Sequence, residues 1–289
     1  MTIAIITVCY NAAPTIASCL ASVRSQSVPA EHIIVDGGST DGTREILEAQ
    51  RAGIARLVME PDQGMYDALN KGIRLAAGDV IGILNADDFY SHGDVLAQVG
   101  RTLETTGADS CYGDLEYVAT EPQRSGGRRQ EAGGSNPGQI ANRNSQIATA
   151  GGERVVRRWR AGGFRPDAFR WGWMPPHPTF FVRRSVYGRL GNFRLDLGTA
   201  ADYELMLRFL LKHRTSTTYI PEVLVRMRVG GQSTVSLAAR LYANEMDRKA
   251  WSVNGLRPYP WTIPFKPLRK LHQFCRDGLI WRMLLNRGG

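Results

Sequence analysis

The stretch Asp79-Val-Ile-Gly-Ile-Leu-Asn85-Ala-Asp87-Asp88-Phe-Tyr90 decides the predicted fold, because an apolar run ends directly in polar side chains. A buried strand that ends in carboxylates places oxygen atoms at the edge of a sheet, where open α/β sheets bind their ligands. Oxygen atoms at such an edge suit Mg²⁺ or Mn²⁺ holding a diphosphate. An acidic turn after a strand is the alternative interpretation, and the rest of the sequence must decide between the two.

Strand and helix patterns alternate through the first 90 residues. Short apolar strands alternating with helices are typical of βαβ units and a mostly parallel sheet. Right-handed crossovers bring successive strand ends to one edge, so the polar residues after the strands are predicted to share a cleft. The predicted strands cover residues 2–8, 32–35, 55–59 and 80–84, and the polar groups that follow strands are Tyr10-Asn11, Asp36, Asp62 and Asn85-Ala-Asp87-Asp88.

Composition predicts an α/β domain over residues 1–235 and a basic helical extension over residues 236–289. Within the domain, the segment from Glu121 to Gly163 holds nine glycines and few large apolar residues. Its centre, residues 121–152, cannot bury enough apolar surface to order itself firmly. We therefore expect a flexible insertion there.

The chain has 36 Lys and Arg against 27 Asp and Glu, a net charge of +9. A basic balance suits anionic partners such as phosphate ligands, nucleic acid or an anionic membrane. From Leu256 to Gly289 there are seven basic residues and one Asp, so most of the excess lies in the tail. Net charge is the only feature that suggests a nucleic-acid partner, so we predict none.

The four cysteines are scattered and form no C-x-x-C pair, which argues against a zinc site and a disulfide framework. We see neither a secretory signal nor a stretch of about 18 apolar residues long enough to span a membrane. These observations lead us to expect a cytoplasmic protein.

Five strings in order then resemble family 2 of the glycosyltransferases, which has the GT-A fold. The resemblance implies transfer of a sugar from a UDP- or GDP-linked donor to a hydroxyl of a glycan or lipid-linked acceptor. Segments 174–181, 200–208 and 230–233 are similar to the soluble bacterial branch that builds surface polysaccharides and glycolipids. The five strings are Thr7-Val-Cys-Tyr10-Asn11, residues 35–43 around Asp36-Gly-Gly-Ser-Thr-Asp41, residues 62–72 ending in Asn70-Lys71-Gly72, Asn85-Ala-Asp87-Asp88, and residues 201–208 around Asp202.

The resemblance and the strand-end positions assign the donor site. Asp36 matches an acid that accepts a hydrogen bond from the nucleobase, with an ordinary Asx turn as its alternative. Tyr10 as a core aromatic residue and Lys71 as a solvated surface residue are further alternatives. The predicted nucleotide-binding residues are Tyr10, Asn11, Asp36, Asn70, Lys71 and Asn85.

A divalent ion, Mg²⁺ or Mn²⁺, neutralises a diphosphate as the sugar leaves. Asp87 is our first choice as its ligand. Asp88 is either a second ligand or a side chain that orients the first, with a helix cap as its alternative. The family often has an acid where this chain has Asn85, so we expect Asn85 to contact the ribose or the sugar.

The resemblance makes Asp202 the base that deprotonates the acceptor hydroxyl, which fits a single inverting displacement. A helix cap is the alternative for Asp202, and Ala201 occupies the position where the family has a supporting acid. His177 and Trp173 are predicted to contact the acceptor. A second role open to His177 is that of a metal ligand from late in the chain. A structural histidine and a core tryptophan are their alternatives.

Basic and apolar residues interleave from Lys266 to Leu285. Such a helix suits the interface of an anionic membrane, at the inner face of the membrane for a cytoplasmic enzyme. A helix packed on the domain is the alternative for this tail. Two functions from other classes also stay open: a non-catalytic nucleotide-sugar-binding or scaffold module, and a sugar-nucleotide pyrophosphorylase, whose glycine-rich loop is missing after the first strand.

Overall fold

The computed structural model describes residues 1–120, 153–229 and 237–266. The predicted flexible insertion over residues 121–152, the string over residues 230–233 and the tail beyond Lys266 lie outside the described residues.

The first half of the chain alternates strands and helices as the sequence predicts. Neighbouring strands pair in parallel in the order β3-β2-β1-β4, which confirms the βαβ interpretation. The elements are β1 (Ile3–Cys9), α1 (Ile16–Arg24), β2 (Glu31–Asp36), α2 (Thr43–Ala49), β3 (Arg56–Met59), α3 (Met65–Leu75) and β4 (Val80–Ile83).

The second half extends the same sheet in the order β4-β8-β6-β9-β5, with β7 also on β6. Here β6 and β9 pair in parallel, whereas β4–β8, β6–β8, β6–β7 and β5–β9 are antiparallel. The elements are β5 (Asp88–Tyr90), α4 (Val95–Thr106), β6 (Ser110–Thr120), β7 (Glu153–Trp159), β8 (Phe181–Arg183), α5 (Arg184–Leu190), α6 (Ala201–Met206) with a π-helical continuation over Leu207–Lys212, β9 (Thr217–Arg228) and α7 (Leu237–Val253).

The register of the parallel strands brings their carboxyl ends to one edge. Cys9 lies opposite Asp36, so β1 and β2 end side by side. Ile6 lies opposite Ile83, and the Leu84 N–H donates to the Ile6 carbonyl at 3.0 Å. The chain segments that follow β1, β2 and β4 therefore leave the sheet next to one another.

Helices cover both faces of the sheet because successive strand residues point to opposite sides. Ala4 and Ile6 of β1 pack in the cluster that includes α3, α5, α6 and α7. Ile3 and Ile5 pack in the opposite cluster with α1 and α4.

Helix α3 packs directly on β1 through Gly72. A Cβ atom at Gly72 would lie 2.4 Å from Cγ2 of Ile6. A larger side chain would displace Ile6, so the glycine allows α3 to lie close against β1.

The described part of the predicted extension packs on the domain. Trp251 of α7 is fully buried, and its indole N–H donates to the Tyr203 hydroxyl at 2.9 Å. Lys266 forms an ion pair with Asp247 at 2.7 Å and lies over the Tyr203 ring at 3.5 Å from its centroid. Lys266 therefore has a packing role, the alternative to its predicted membrane contact.

Candidate active site

A cleft of about 1490 Å³ opens at the carboxyl edge of β1, β2 and β4. Its walls come from the loops after these strands, from the start of α3, and from β6, β7 and β9. Of the polar groups predicted to share a cleft, Tyr10, Asn11, Asp62, Asn85 and Asp87 line it. The sequence did not single out Met65, Tyr117, Arg157 and Arg228, which also line it.

The turn after β1 presents Tyr10 to the cleft. Asn11 has a positive φ of 51°, and its side-chain oxygen accepts a hydrogen bond from the Thr40 N–H at 2.9 Å. The Asn11 N–H donates to Ser39 Oγ at 2.8 Å. Tyr10 is 64% exposed, so it is not a core aromatic residue.

Asp36 is fully buried and organises its own loop. One carboxylate oxygen accepts hydrogen bonds from the N–H groups of Gly38 and Ser39 at 3.1 and 3.0 Å. The other oxygen accepts a hydrogen bond from the Ser39 hydroxyl. The Arg44 guanidinium lies 3.8 Å from the first oxygen. These partners are those of an Asx turn, the alternative interpretation for this residue, and Asp36 does not line the cleft.

Gly37 is the residue of this loop that reaches the cleft. A Cβ atom there would lie 2.4 Å from a carboxylate oxygen of Asp62. The missing side chain therefore lets the Asp62 carboxylate lie against the loop backbone.

The two acidic residues in the loop after β4 have different environments. Asp87 lines the cleft, and its carbonyl accepts a hydrogen bond from Arg228 at 3.0 Å. Asp88 is fully buried at the start of β5, so it does not cap a helix. One oxygen of Asp88 accepts a hydrogen bond from the Asn85 amide at 3.0 Å, and the other has no hydrogen-bond partner. Burial, and then the neighbouring Asp87 charge, raises the pKa of Asp88 well above its usual value.

No three His, Cys, Asp or Glu side chains converge into a preformed metal cage within the described residues. Mg²⁺ typically uses one or two carboxylates together with substrate phosphates and water. Asp87 in the open cleft, beside the Asn85 amide, matches this kind of site. The buried Asp88 carboxylate holds the Asn85 side chain in place through their hydrogen bond.

Asn70 and Lys71 do not line the cleft, and their contact with the nucleotide stays a prediction. Asn70 is buried, and both ends of its amide bind the backbone of Phe193. The Lys71 ammonium forms ion pairs with Glu60 at 2.9 Å and Asp67 at 3.6 Å, and it donates to the Pro61 carbonyl at 3.1 Å. Both side chains hold α3 against its surroundings.

Asp202 lies in the first turn of α6, and the cap of this helix is Ala200. The Asp202 carboxylate accepts a hydrogen bond from the Tyr203 N–H of this first turn at 2.6 Å, so the helix-end role stays open beside the proposed one. Tyr66 lies close enough to Asp202 for the carboxylate charge to act on its hydroxyl. Burial and the Asp202 charge raise the pKa of Tyr66, so its hydroxyl stays protonated. The sequence reasoning did not single out Tyr66, although it lies within the string over residues 62–72.

His177 belongs to the same neighbourhood. Burial lowers its pKa, against the opposing effect of the Asp202 charge. The Phe193 ring contacts the His177 ring at 5.7 Å and the Tyr66 ring at 5.3 Å between centroids. Tyr66, His177 and Phe193 thus form an aromatic shell beside Asp202.

Trp173 packs in the core, the alternative that the sequence left open for it. It is only 9% exposed, and its indole N–H donates to the Ala161 carbonyl at 2.8 Å. Its ring packs against Phe169 and Tyr112 at 5.6 and 5.8 Å.

Two arginines from the second half of the sheet face the cleft. Arg228 lies over the Phe89 ring at 4.5 Å and pairs with Glu153 at 3.1 Å. Arg157 lies over the Tyr117 ring at 4.6 Å. The cleft therefore combines the carboxylates of the parallel strands with cations from β7 and β9.

Comparison with known proteins identifies this arrangement. The model of "Glycosyl transferase family 2" matches residues 4–158. The chain belongs to glycosyl transferase family 2. The match contains the loops after β1, β2 and β4 and the start of α3.

Two curated relatives of this family 2 glycosyltransferase come from Mycobacterium tuberculosis strain H37Rv. An uncharacterized glycosyltransferase is 30% identical over 216 residues, which cover 73% of this chain and 69% of the relative. A PGL/p-HBAD biosynthesis glycosyltransferase is 28% identical over 215 residues, which cover 73% and 70% of the two chains.

Solved structures show the same GT-A fold. Residues 1–349 of TarS from S. aureus, in complex with UDP-GlcNAc, match with a TM-score of 0.62 and 15% identity, over 96% of this chain and 75% of that one. The mannosyltransferase PcManGT from Pyrobaculum calidifontis, in complex with GDP-Man and Mn²⁺, matches with a TM-score of 0.57 and 18% identity, over 99% and 79%.

Within the described residues, no helix is long and apolar enough to cross a membrane.

Proposed function

We propose that this glycosyltransferase moves a sugar from a UDP- or GDP-linked donor to a hydroxyl of a glycan or lipid-linked acceptor, with inversion at the anomeric carbon. One observation carries the proposal: Asp87, Arg157 and Arg228 share one cleft with the exposed Tyr10. Such a cleft offers a ring for a base, cations for phosphates and a carboxylate for a metal ion.

The donor would bind with its nucleoside along the loops after β1 and β2, where Tyr10 offers an open ring face and Asn11 a fixed turn. Its diphosphate would lie between Asp87 and the cations of Arg157 and Arg228. Asp87 would hold Mg²⁺ or Mn²⁺, which when bound supplies positive charge to the leaving diphosphate. Asn85 would bind the ribose or the sugar, and Asp88 would orient Asn85.

Asp202 would act as the base. Its carboxylate would take the proton of the acceptor hydroxyl as that oxygen forms its bond to the anomeric carbon. The bond from this carbon to the diphosphate oxygen breaks in the same step, so the configuration inverts. Tyr66 and His177 would hold the Asp202 carboxylate in position, and His177 would border the acceptor.

The relatives suggest the pathway class. One is named for PGL/p-HBAD biosynthesis, and TarS and PcManGT were solved with UDP-GlcNAc and GDP-Man. We extend this to synthesis of a cell-surface glycan or glycolipid by an enzyme at the cytoplasmic side of the membrane. The predicted membrane contact of the tail stays a proposal, because the tail beyond Lys266 lies outside the described residues.

A screen of UDP- and GDP-sugars for metal-dependent hydrolysis and transfer tests the proposal. Asp202→Asn should keep its nucleotide affinity and lose on the order of 10²-fold or more in rate. Asp167→Asn, at an exposed position, is the matched control and should retain the wild-type rate.

A near wild-type rate for Asp202→Asn would place the base elsewhere, and product with retained configuration would reject the single displacement. Nucleotide binding without turnover of any donor would instead favour a non-catalytic binding module.

A further inference from the structure

Four aromatic side chains form an exposed surface, which we call the aromatic patch: Trp171, Tyr259, Trp261 and Phe265. Each is between 39% and 50% exposed. Trp171 contacts the other three, with ring centroids 5.8 to 6.5 Å apart. Tyr259 and Trp261 are 5.0 Å apart. A contiguous exposed aromatic surface of this kind is a candidate interaction site.

Hydrogen bonds and an ion pair of the underlying chain hold the aromatic patch in place. The Thr262 hydroxyl is buried, donates to the Arg170 carbonyl at 2.6 Å and accepts a hydrogen bond from the Tyr259 N–H at 2.9 Å. The ion pair between Lys266 and Asp247 anchors the end of the segment. The four rings are therefore fixed by packing of the chain beneath them.

The aromatic patch is separate from the donor cleft, since none of its four residues lines that cleft. Trp171 and Trp261 pack on other aromatic rings of the patch and remain 50% and 39% exposed. Tryptophan and tyrosine rings, with an apolar body and a polar edge, are typical of the membrane–water interface.

Arginine side chains accompany the patch, and one of them is in an ion pair. The Arg170 guanidinium lies 5.5 Å from the centroid of the Tyr259 ring and pairs with Asp167 at 3.6 Å, and Arg257 is exposed nearby in the sequence. The chain that continues beyond Lys266 carries five Lys and Arg and one Asp in its 23 residues. Cations beside interfacial aromatic residues complement anionic phospholipid headgroups.

We propose that the aromatic patch binds the interface of an anionic phospholipid membrane, with the four rings at the headgroup level and the neighbouring cations at lipid phosphates. The inference does not depend on the donor, the metal or the base. For an enzyme with a lipid-linked acceptor, the contact would hold the active site at the surface that carries the acceptor.

Flotation of the full-length protein with vesicles tests the proposal. The vesicles are phosphatidylcholine alone or with phosphatidylglycerol, at about 50 and 500 mM NaCl to vary the screening. The wild type should float with anionic vesicles, and the double variant Trp171→Ser, Trp261→Ser should lose about tenfold or more of its partition coefficient. Leu241→Ser removes an exposed apolar side chain on α7, outside the patch, and should bind like the wild type.

Circular dichroism and nucleotide binding check that the double variant folds. Quenching of wild-type tryptophan fluorescence by brominated lipid gives a second readout, which the milder Trp171→Phe, Trp261→Phe variant should reduce. Flotation of the double variant at the wild-type level, or no flotation of the wild type, overturns the proposal. A dimer in solution that the double variant dissolves, without vesicle binding, would assign the patch to a second copy instead.

Discussion

Asn70 on α3 and Phe193 after α5 exchange two hydrogen bonds of 2.9 Å across 123 residues of sequence. The Asn70 amide donates to the Phe193 carbonyl, and the Phe193 N–H donates to the Asn70 carbonyl oxygen. The Phe193 ring in turn contacts Tyr66 and His177, the two residues beside Asp202. The pair therefore joins the helix at the donor cleft to the shell around the proposed base.

We expect Asn70→Ala to lower kcat while the nucleotide Kd changes by less than about twofold, since the amide contacts Phe193 rather than the cleft. Loss of both hydrogen bonds at a buried site should lower the free energy of unfolding by about 1–3 kcal/mol. Lys71→Gln is the adjacent control, whose ion pair with the exposed Glu60 should contribute less than about 1 kcal/mol. Steady-state kinetics, calorimetry and urea unfolding measure these quantities. A large loss of nucleotide affinity with unchanged stability would instead support the predicted contact of Asn70 with the nucleotide.

The parallel half of the sheet was predictable because its strands are short apolar runs followed by polar residues. The same pattern placed Asn85 and Asp87 correctly at the cleft. It could not identify the contacts of Asn70 or Trp173, since periodicity indicates that a side chain is buried but does not identify its partner. Those partners, the Phe193 backbone and the Ala161 carbonyl, lie elsewhere in the sequence.

The cationic side of the cleft was missed for a related reason. Arg157 and Arg228 belong to β7 and β9, which pair with β6 and β5 through contacts distant in sequence. No local motif marks them. Sheet topology alone brings them opposite Asp87.

Tyr66→Phe should lower kcat by about tenfold with little change in donor KM, because the hydroxyl beside Asp202 positions the proposed base. The raised pKa of Tyr66 keeps this hydroxyl protonated throughout the neutral range. Tyr10→Phe is the matched control, since it removes a hydroxyl from the exposed ring at the cleft and keeps the ring. Equal kcat values for the wild type and Tyr66→Phe would contradict a positioning role.

Asp87→Asn should abolish the part of nucleotide affinity that depends on Mn²⁺ or Mg²⁺, because the amide cannot supply the charge of a carboxylate ligand. Titration calorimetry with UDP and GDP, with and without the metal, measures the difference. Asp62→Asn changes another acid of the same cleft and should retain most of the metal-dependent part of the nucleotide affinity. If chelator leaves wild-type affinity and turnover unchanged, the metal proposal is wrong.

Arg208→Met should destabilise the fold by about 3–5 kcal/mol, because it leaves the buried Glu204 charge without its partner. Arg208 binds Glu204 at 2.9 Å and donates to the carbonyls of Gly191 and Asn192 at 2.9 and 2.7 Å. Arg194→Met is the control, because its ion pair with Asp196 is about half exposed and should contribute less than about 1 kcal/mol. Urea unfolding measures the free energy of unfolding of both variants. Similar losses in the two would contradict a special contribution of the buried Arg208–Glu204 pair.

His32 should make stability depend on pH between about 6.5 and 4. The ring is buried, its Nε2 lies 3.0 Å from the Thr7 hydroxyl oxygen, and burial lowers its pKa to about 4 from 6.5. Below pH 6.5 the unfolded chain binds a proton that the folded protein rejects, so stability falls as the pH falls. The loss should approach about 3 kcal/mol at pH 4. We expect His32→Gln to remove this slope from urea unfolding curves, whereas His213→Gln, at an exposed position, should leave it intact. A slope that persists in His32→Gln would assign the pH dependence to other groups.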